Sequence, residues 1–471
     1  MLRPSTCFTA LARIRAGAVA LMVVLGVISC TGDPEGAGRG GAAGLGDPLF
    51  PRLGNGGYDV RHYALTLDYA PSSGRLSGTA EILARAGQEL SAFNLDLHGL
   101  DVGEVTVDGE RAAAVRRTGD ELTIRPRDGI RRGALFRTAV RYSGTPRTVT
   151  DADGSEEGWL RNRGGALALG EPAGSAAWFP GNHHPSDKAT YELAITVPRG
   201  LKAVSNGELA RETATARGAT TFVWRSAEPM ASYLATVAIG PYELIRTRTA
   251  DGLPVVSAAD PAVAKPTRRV TDRIPEFLDW AAGRFGPYPF SSAGAVAVRD
   301  GDAGYALETQ SRPVVPAGMY DVPTLVHELA HQWYGNSVSP ATWQDMWLNE
   351  GFATYAEWLW AEDREKVPAR RAFEEAFADD ANWAFPPADP PDPARISDAP
   401  VYGRGAMVLH KVRQAAGDRA FFALLRGWPE KHRHGNASTA DFTAYAERTA
   451  GQDLSAVWDV WLYGDERPAR P

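Results

Sequence analysis

The apolar pattern of this chain changes period once along its length, and no single layer of secondary structure accommodates both periods. Between 51 and 254 apolar residues alternate, so that Tyr63, Leu65, Leu67 and Tyr69 share one face while His62, Ala64, Thr66 and Asp68 share the other. The same period of two recurs in Phe93-Asn-Leu-Asp-Leu97 and Tyr191-Glu-Leu-Ala-Ile-Thr-Val197, with Asp108-Gly109, Asp128-Gly129 and Asn206-Gly207 as turn signals. This predicts antiparallel sheets with one buried face. Beyond about 262 the period lengthens: Val270, Ile274, Phe277, Leu278 and Ala281 recur at helical spacing, and helices are predicted over 322–334, 350–363 and 405–416. A β-rich domain over 51–255 and a mainly helical domain over 256–471 are therefore expected, with a cleft between them as a common place for an active site. The 471 residues suffice for two substantial cores.

A different kind of segment precedes these domains. Arg13 and Arg15 stand before an apolar run over 16–28, which is too short to span a bilayer comfortably and suits a secretory signal. Val27-Ile28-Ser29-Cys30 resembles a bacterial lipobox, so 1–29 is expected to be a lipoprotein signal peptide and Cys30 to carry the lipid. The protein would then be exported and anchored at the outer face of the cytoplasmic membrane without spanning it. Cys7 and Cys30 are the only cysteines, so no disulfide framework holds the body together. Seven of the sixteen residues in 31–46 are glycine, and 30–50 is expected to be a flexible tether. A net charge of −7 leaves no basic footprint for a nucleic-acid partner.

The segment Val326-His327-Glu328-Leu329-Ala330-His331-Gln332-Trp333 carries the chemistry. Residues four apart on a helix project from one face about a turn apart, the separation two imidazoles need to share a zinc ion. Glu328 points from an adjacent face. Eighteen residues separate His331 from Glu350, which lies in Trp347-Leu-Asn-Glu-Gly-Phe-Ala-Thr-Tyr355, another apolar-periodic helix. Two neutral imidazoles and a carboxylate leave one tetrahedral position for water, which marks a catalytic rather than a structural site. One zinc ion per chain at His327, His331 and Glu350 is expected, with Glu328 as general base. Asp345 is a candidate for orienting a ligand histidine. The adjacent His183 and His184 diverge and have no carboxylate pair at ligand spacing, so they do not suggest a second metal site.

These motifs resemble the aminopeptidase N family of zinc metallopeptidases, of the gluzincin class. The resemblance extends to Trp178-Phe-Pro180, Tyr233-Leu234, Phe285-Gly-Pro-Tyr-Pro-Phe290 and Tyr402-Gly-Arg-Gly-Ala406, covering roughly 55–465. It implies an N-terminal β-sandwich saddle, a thermolysin-like α+β catalytic domain, and a short bacterial form without the long helical C-terminal domain of larger members. It also implies roles for single residues. Glu308, in Tyr305-Ala-Leu-Glu-Thr309, falls where the family's Gly-x-Met-Glu-Asn motif binds the substrate amine, although Tyr305 replaces the glycine and Thr309 the asparagine. Glu171 is the second amine-binding candidate. Tyr402 matches the tyrosine of Tyr-x-Lys-Gly, with Arg404 in place of lysine, and would donate to an oxyanion. The activity implied is removal of N-terminal residues from peptides with a free amine. The competing readings are a thermolysin-like endopeptidase, which has no need of Glu308 and Glu171, and a catalytically silent peptide-binding protein.

Overall fold

Along the strand Tyr58–Ala70 the predicted alternation becomes a buried face of Tyr63, Leu65, Leu67 and Tyr69, with the residues between them at or near the surface. The structure, a computed structural model, describes residues 38–216 and 218–469; the expected signal peptide and Cys30 lie outside these residues. No helix among the described residues is long and apolar enough to cross a membrane.

Tyr58–Ala70 sits within an eight-stranded sheet in which Arg75–Ala86 and Leu135–Gly144 continue antiparallel on one side. On the other side Lys188–Pro198 pairs with it in parallel, Leu193 opposite Leu65. The buried face of this sheet meets two smaller ones. Tyr69 packs edge-on against Trp159 of a five-stranded sheet, and Tyr58 against Phe93 of a four-stranded sheet. Aromatic edge-to-face contacts of this kind add to the area they bury.

Two expectations change here. Leu90–Asp96 was expected to expose Asn94 and Asp96, yet both are buried. They are covered by the segment from Gly38 onward. Asn94 Nδ2 donates to the Gly41 carbonyl, and Asp96 accepts from Gly54 N and Asn55 Nδ2. Asp47 accepts from the Trp343 backbone N–H at 2.8 Å and meets His184 Nε2 at 3.1 Å. The part of the expected tether from Gly38 to Phe50 is thus docked, because the Asp47 side chain finds buried partners far along the chain and the Gly41 carbonyl accepts from Asn94. His183 is likewise used internally, its Nε2 3.0 Å from the Phe179 carbonyl. The second change concerns the boundary. Glu243–Arg248 and Pro254–Ala259 join Val296–Val298 and Val314–Pro316 in one mixed sheet beside the helices. The α+β half therefore starts before 255: its first strands alternate like those preceding them, and the period changes only at the first helix.

Four helices position the site: α1 (Ile274–Phe285), α2 (Val322–Ala330), α3 (Trp347–Trp360) and α4 (Gly405–Ala416). Asp321 caps α2 by accepting the Thr324 N–H at 3.0 Å, and Pro323 occupies its first turn, where no N–H is needed. Trp360 of α3 packs on Phe277 and Trp280 of α1, while Tyr334 stacks on Phe352 with centroids 4.3 Å apart. Gly351 and Gly405 let α3 and α4 touch, since a Cβ on Gly351 would lie 2.8 Å from the Gly405 carbonyl carbon. Two cations join the β half to the helical half. Lys188 Nζ donates to the Asn336 and Ser337 carbonyls at 2.8 and 2.9 Å, and Arg312 donates to the Gly207 carbonyl at 3.1 Å.

Candidate metal centre

His327 lies in the last turn of α2, and His331, just past its end, keeps helical backbone angles. Their rings stand 4.7 Å apart. From the first turn of α3, Glu350 Oε2 reaches both, 3.1 Å from His327 Nε2 and 3.4 Å from His331 Nε2. The far nitrogens are turned away: His327 Nδ1 lies 2.7 Å from Glu357 Oε1, and His331 Nδ1 lies 3.1 Å from the Tyr334 carbonyl. With Nδ1 donating outward on both rings, the Nε2 atoms face Glu350 and are left to ligate. The three donors lie within 4.8 Å of one another.

The charge balance of the pocket fits a cation. Burial opposes ionisation of Glu350, but the imidazoles of His331 and His327 outweigh it and hold its carboxyl down at about 2. Burial likewise disfavours a charged His331, yet Glu350 and Glu308 push it up to about 9. Two imidazoles, a carboxylate and this demand for positive charge suit zinc.

Around these donors a cavity of about 490 Å³ is lined by Glu171, Tyr305, Glu308, Glu328 and Tyr402. Glu328 is buried, and its Oε2 has no hydrogen-bond partner among the described residues. Burial, only partly offset by His327 and His331, pushes its carboxyl up to about 8. Tyr402 lies nearly parallel to the His327 ring with centroids 6.0 Å apart. Burial, then Glu350, raises its phenol well above the ordinary value, so it remains a neutral donor. Arg404, in the lysine's place, runs into the protein, donating to the Phe385, Trp461, Val460 and Gly464 carbonyls with its guanidinium over Trp383. It fastens the turn that carries Tyr402.

Glu171 and Glu308 come together from the two halves of the molecule. One carboxylate oxygen of each lies within 4.8 Å of the other and of one from Glu350. Glu171 Oε2 and Glu308 Oε1 have no partner among the described residues. Burial and then Glu308 push the Glu171 carboxyl well up. Glu308 follows Leu307, whose backbone pairs with Val314 in both directions at 2.9 and 2.8 Å.

Several positioning groups are absent from the sequence reading. Gln332 Nε2 and Asn336 Nδ2 donate to the Glu308 carbonyl at 3.2 and 2.6 Å, coupling Glu308 to the histidine segment. Glu157, on β1 (Glu156–Asn162), accepts from Gly174 N at 2.8 Å and Ala173 N at 3.2 Å, holding the loop just after Glu171. Glu357 orients His327 in the way expected of Asp345. Asp345 instead accepts from Thr342 and Thr439, where it caps the turn leading into α3. Glu357 could have been found by spacing, since it is two helical turns after Glu350 on the same face.

Comparison with known proteins agrees with this arrangement. Residues 60–234 match the peptidase M1 N-terminal domain, and residues 320–461 match the peptidase family M1 domain. Aminopeptidase N of Streptomyces lividans is 28% identical over 328 residues, 60% of this chain and 36% of that protein. The human glutamyl aminopeptidase is 26% identical, the match covering 62% of this chain and 33% of that protein. The chain thus spans about a third of the length of these curated relatives. An M1 zinc metallopeptidase from Deinococcus radiodurans superposes with a TM-score of 0.85 at 30% identity, over 91% of this chain and 98% of that one. A variant of that metallopeptidase with a bound Tyr-Ser-Ala substrate gives 0.84 at 29% identity, over 91% and 99%.

Proposed function

This chain belongs to the peptidase M1 family, and from that premise we propose that it is a zinc-dependent aminopeptidase that removes N-terminal residues from peptides. The observation that carries the reading is the meeting of His327, His331 and Glu350 beside an unpartnered Glu328, with Glu171 and Glu308 closing the same cavity. A zinc ion held by His327, His331 and Glu350 would supply Lewis acidity, polarising a peptide carbonyl and lowering the pKa of a water in the cleft toward about 7.

The chain's own groups do the rest. Glu171 and Glu308 hold the substrate's α-ammonium, whose charge relieves the crowding of their carboxylates. A peptide with a longer N-terminal extension would force that crowded negative charge to stand unpaired, so the first peptide bond is the one presented. Glu328 Oε2 takes a proton from the attacking water as its oxygen bonds to the carbonyl carbon. Tyr402 Oη donates to the oxygen on which negative charge develops, a contribution of about 3 kcal/mol for a preorganised donor. Glu328 then delivers its proton to the leaving nitrogen as the C–N bond breaks, and the products are a free amino acid and a shortened peptide.

We also propose that the activity lies outside the cytoplasmic membrane, on the support of the apolar run after Arg15 and the lipobox-like Val27-Ile-Ser-Cys30. Incorporation of labelled fatty acid by the full chain, lost in Cys30→Ala, is the expected result. No incorporation by the parent would end the anchoring proposal.

The activity is tested with aminoacyl arylamides, free or N-acetylated, before and after chelation. Hydrolysis of only the free-amine set, abolished by the chelator and restored by zinc, is expected. Hydrolysis of blocked or internal bonds would assign an endopeptidase instead.

A further inference from the structure

The turn between the strands Thr148–Thr150 and β1 brings Asp151 and Asp153 to the wall of the catalytic cavity, and Glu156, the first residue of β1, lines it beside them. Its backbone is fixed: Asp151 N donates to the Ser155 carbonyl at 2.9 Å, Gly154 N to the Asp151 carbonyl at 3.0 Å, and Ser155 N to Asp153 Oδ1 at 2.8 Å. No lysine or arginine lines this cavity among the described residues. The carboxylates on this wall therefore lack the counter-charge that surface acids usually find. Burial, and then Asp153, raises the Asp151 carboxyl above its ordinary value.

A second, independent feature lines the same cavity. Tyr305 lines the cavity, and its hydroxyl is buried without a hydrogen-bond partner among the described residues. The same cavity is lined by Glu171 and Glu308 and by Asp151, Asp153 and Glu156, and burial, then the carboxylates of Glu157, Glu171, Glu308 and Asp151, raise the phenol well above its ordinary value, so it stays neutral. A buried hydroxyl is seldom left unpaired in a native protein. The phenol can donate to a carboxylate and at the same time accept from a guanidinium or ammonium, while the ring offers its face to the same cation.

From these two features we propose that Tyr305 with Asp151, Asp153 and Glu156 forms a side-chain subsite that selects peptides whose first residue is arginine or lysine. The proposal rests on the aminopeptidase reading above. With the α-ammonium held by Glu171 and Glu308, the first side chain runs over Tyr305 toward the acidic turn, where its cation meets uncompensated carboxylates. Acidic first residues are excluded by the same field. Tyr305, the departure from the family's glycine, thereby narrows the cleft and gives it a preference.

The test uses the zinc-loaded full chain and arylamides of arginine, lysine, leucine and glutamate. The expected kcat/KM for arginine and lysine exceeds that for leucine roughly tenfold or more, with glutamate slowest. Combining Asp151→Asn, Asp153→Asn and Glu156→Gln lowers the arginine-to-leucine ratio about tenfold, chiefly through KM, and added salt narrows the ratio in the parent. Tyr305→Phe lowers it severalfold. Leucine hydrolysed as well as arginine, or a ratio unmoved by the triple substitution, would overturn the subsite while leaving an aminopeptidase standing. Hydrolysis of no free-amine derivative by the zinc-loaded chain would overturn both.

Discussion

The two halves of this molecule contribute to one cleft in different ways. The helical half places His327 and Glu328 on α2, His331 at its end and Glu350 on α3, where spacing along a rigid backbone sets their geometry. The β half sends Glu171 from a loop whose position depends on a buried carboxylate, Glu157, on the preceding hairpin. The difference suggests a division of labour. Chemistry sits where geometry is least adjustable, and recognition sits on loops that can vary without disturbing it.

That division can be broken or sharpened by substitution. The largest effect is expected from Glu328→Gln, which keeps the shape of the side chain and removes its basicity: kcat falls about a thousandfold with zinc content unchanged by elemental analysis. Normal turnover would remove Glu328 from the proton-transfer role. Next, Glu357→Gln weakens the hold on His327 Nδ1 and is expected to lower zinc affinity by about 10- to 100-fold in a chelator competition, with activity recovering at high zinc. Glu171→Gln removes one charged partner of the substrate ammonium. A loss of about 2 kcal/mol, roughly 30-fold in kcat/KM, is expected with no change in zinc affinity. The smallest kinetic effect belongs to Glu157→Ala, which strands the Ala173 and Gly174 N–H groups: KM rises severalfold and denaturant unfolding shows a loss of about 2 kcal/mol. If Glu157→Ala lowered zinc affinity as much as Glu357→Gln does, the two halves would not act separately.

The same contrast governs what could be read from sequence. His327, Glu328 and His331 declare their proximity through a period of 3.6, and the β-rich region followed by helices emerges from a change of period. Glu350 needed only the recognition of a second helix carrying a carboxylate. Glu357 was equally legible in principle, seven residues further on, whereas Asp345 lay nearer the ligand in sequence but was spent on capping a turn. Gln332 and Asn336 were beyond reach because their partner is the Glu308 carbonyl, a contact made by folding two segments together. Residues 38–50 misled for a related reason. Glycine content describes the freedom of the unpaired chain, and Asp47 shows that a single side chain with buried partners at His184 and Trp343 can anchor such a segment. Placement of Glu171 beside Glu308 likewise rested on resemblance, since no local pattern links a loop of one half to a strand edge of the other.

The most direct test of the whole account is a crystal structure of the Glu328→Gln variant with zinc and an unblocked tripeptide beginning with arginine. The account predicts zinc on His327 Nε2, His331 Nε2 and Glu350 at about 2.0–2.2 Å. It places the peptide's ammonium between Glu171 and Glu308, its first carbonyl within reach of Tyr402, and its guanidinium over Tyr305. A metal held by other residues, or a peptide running past Glu171 and Glu308 with its amine in solvent, would contradict it.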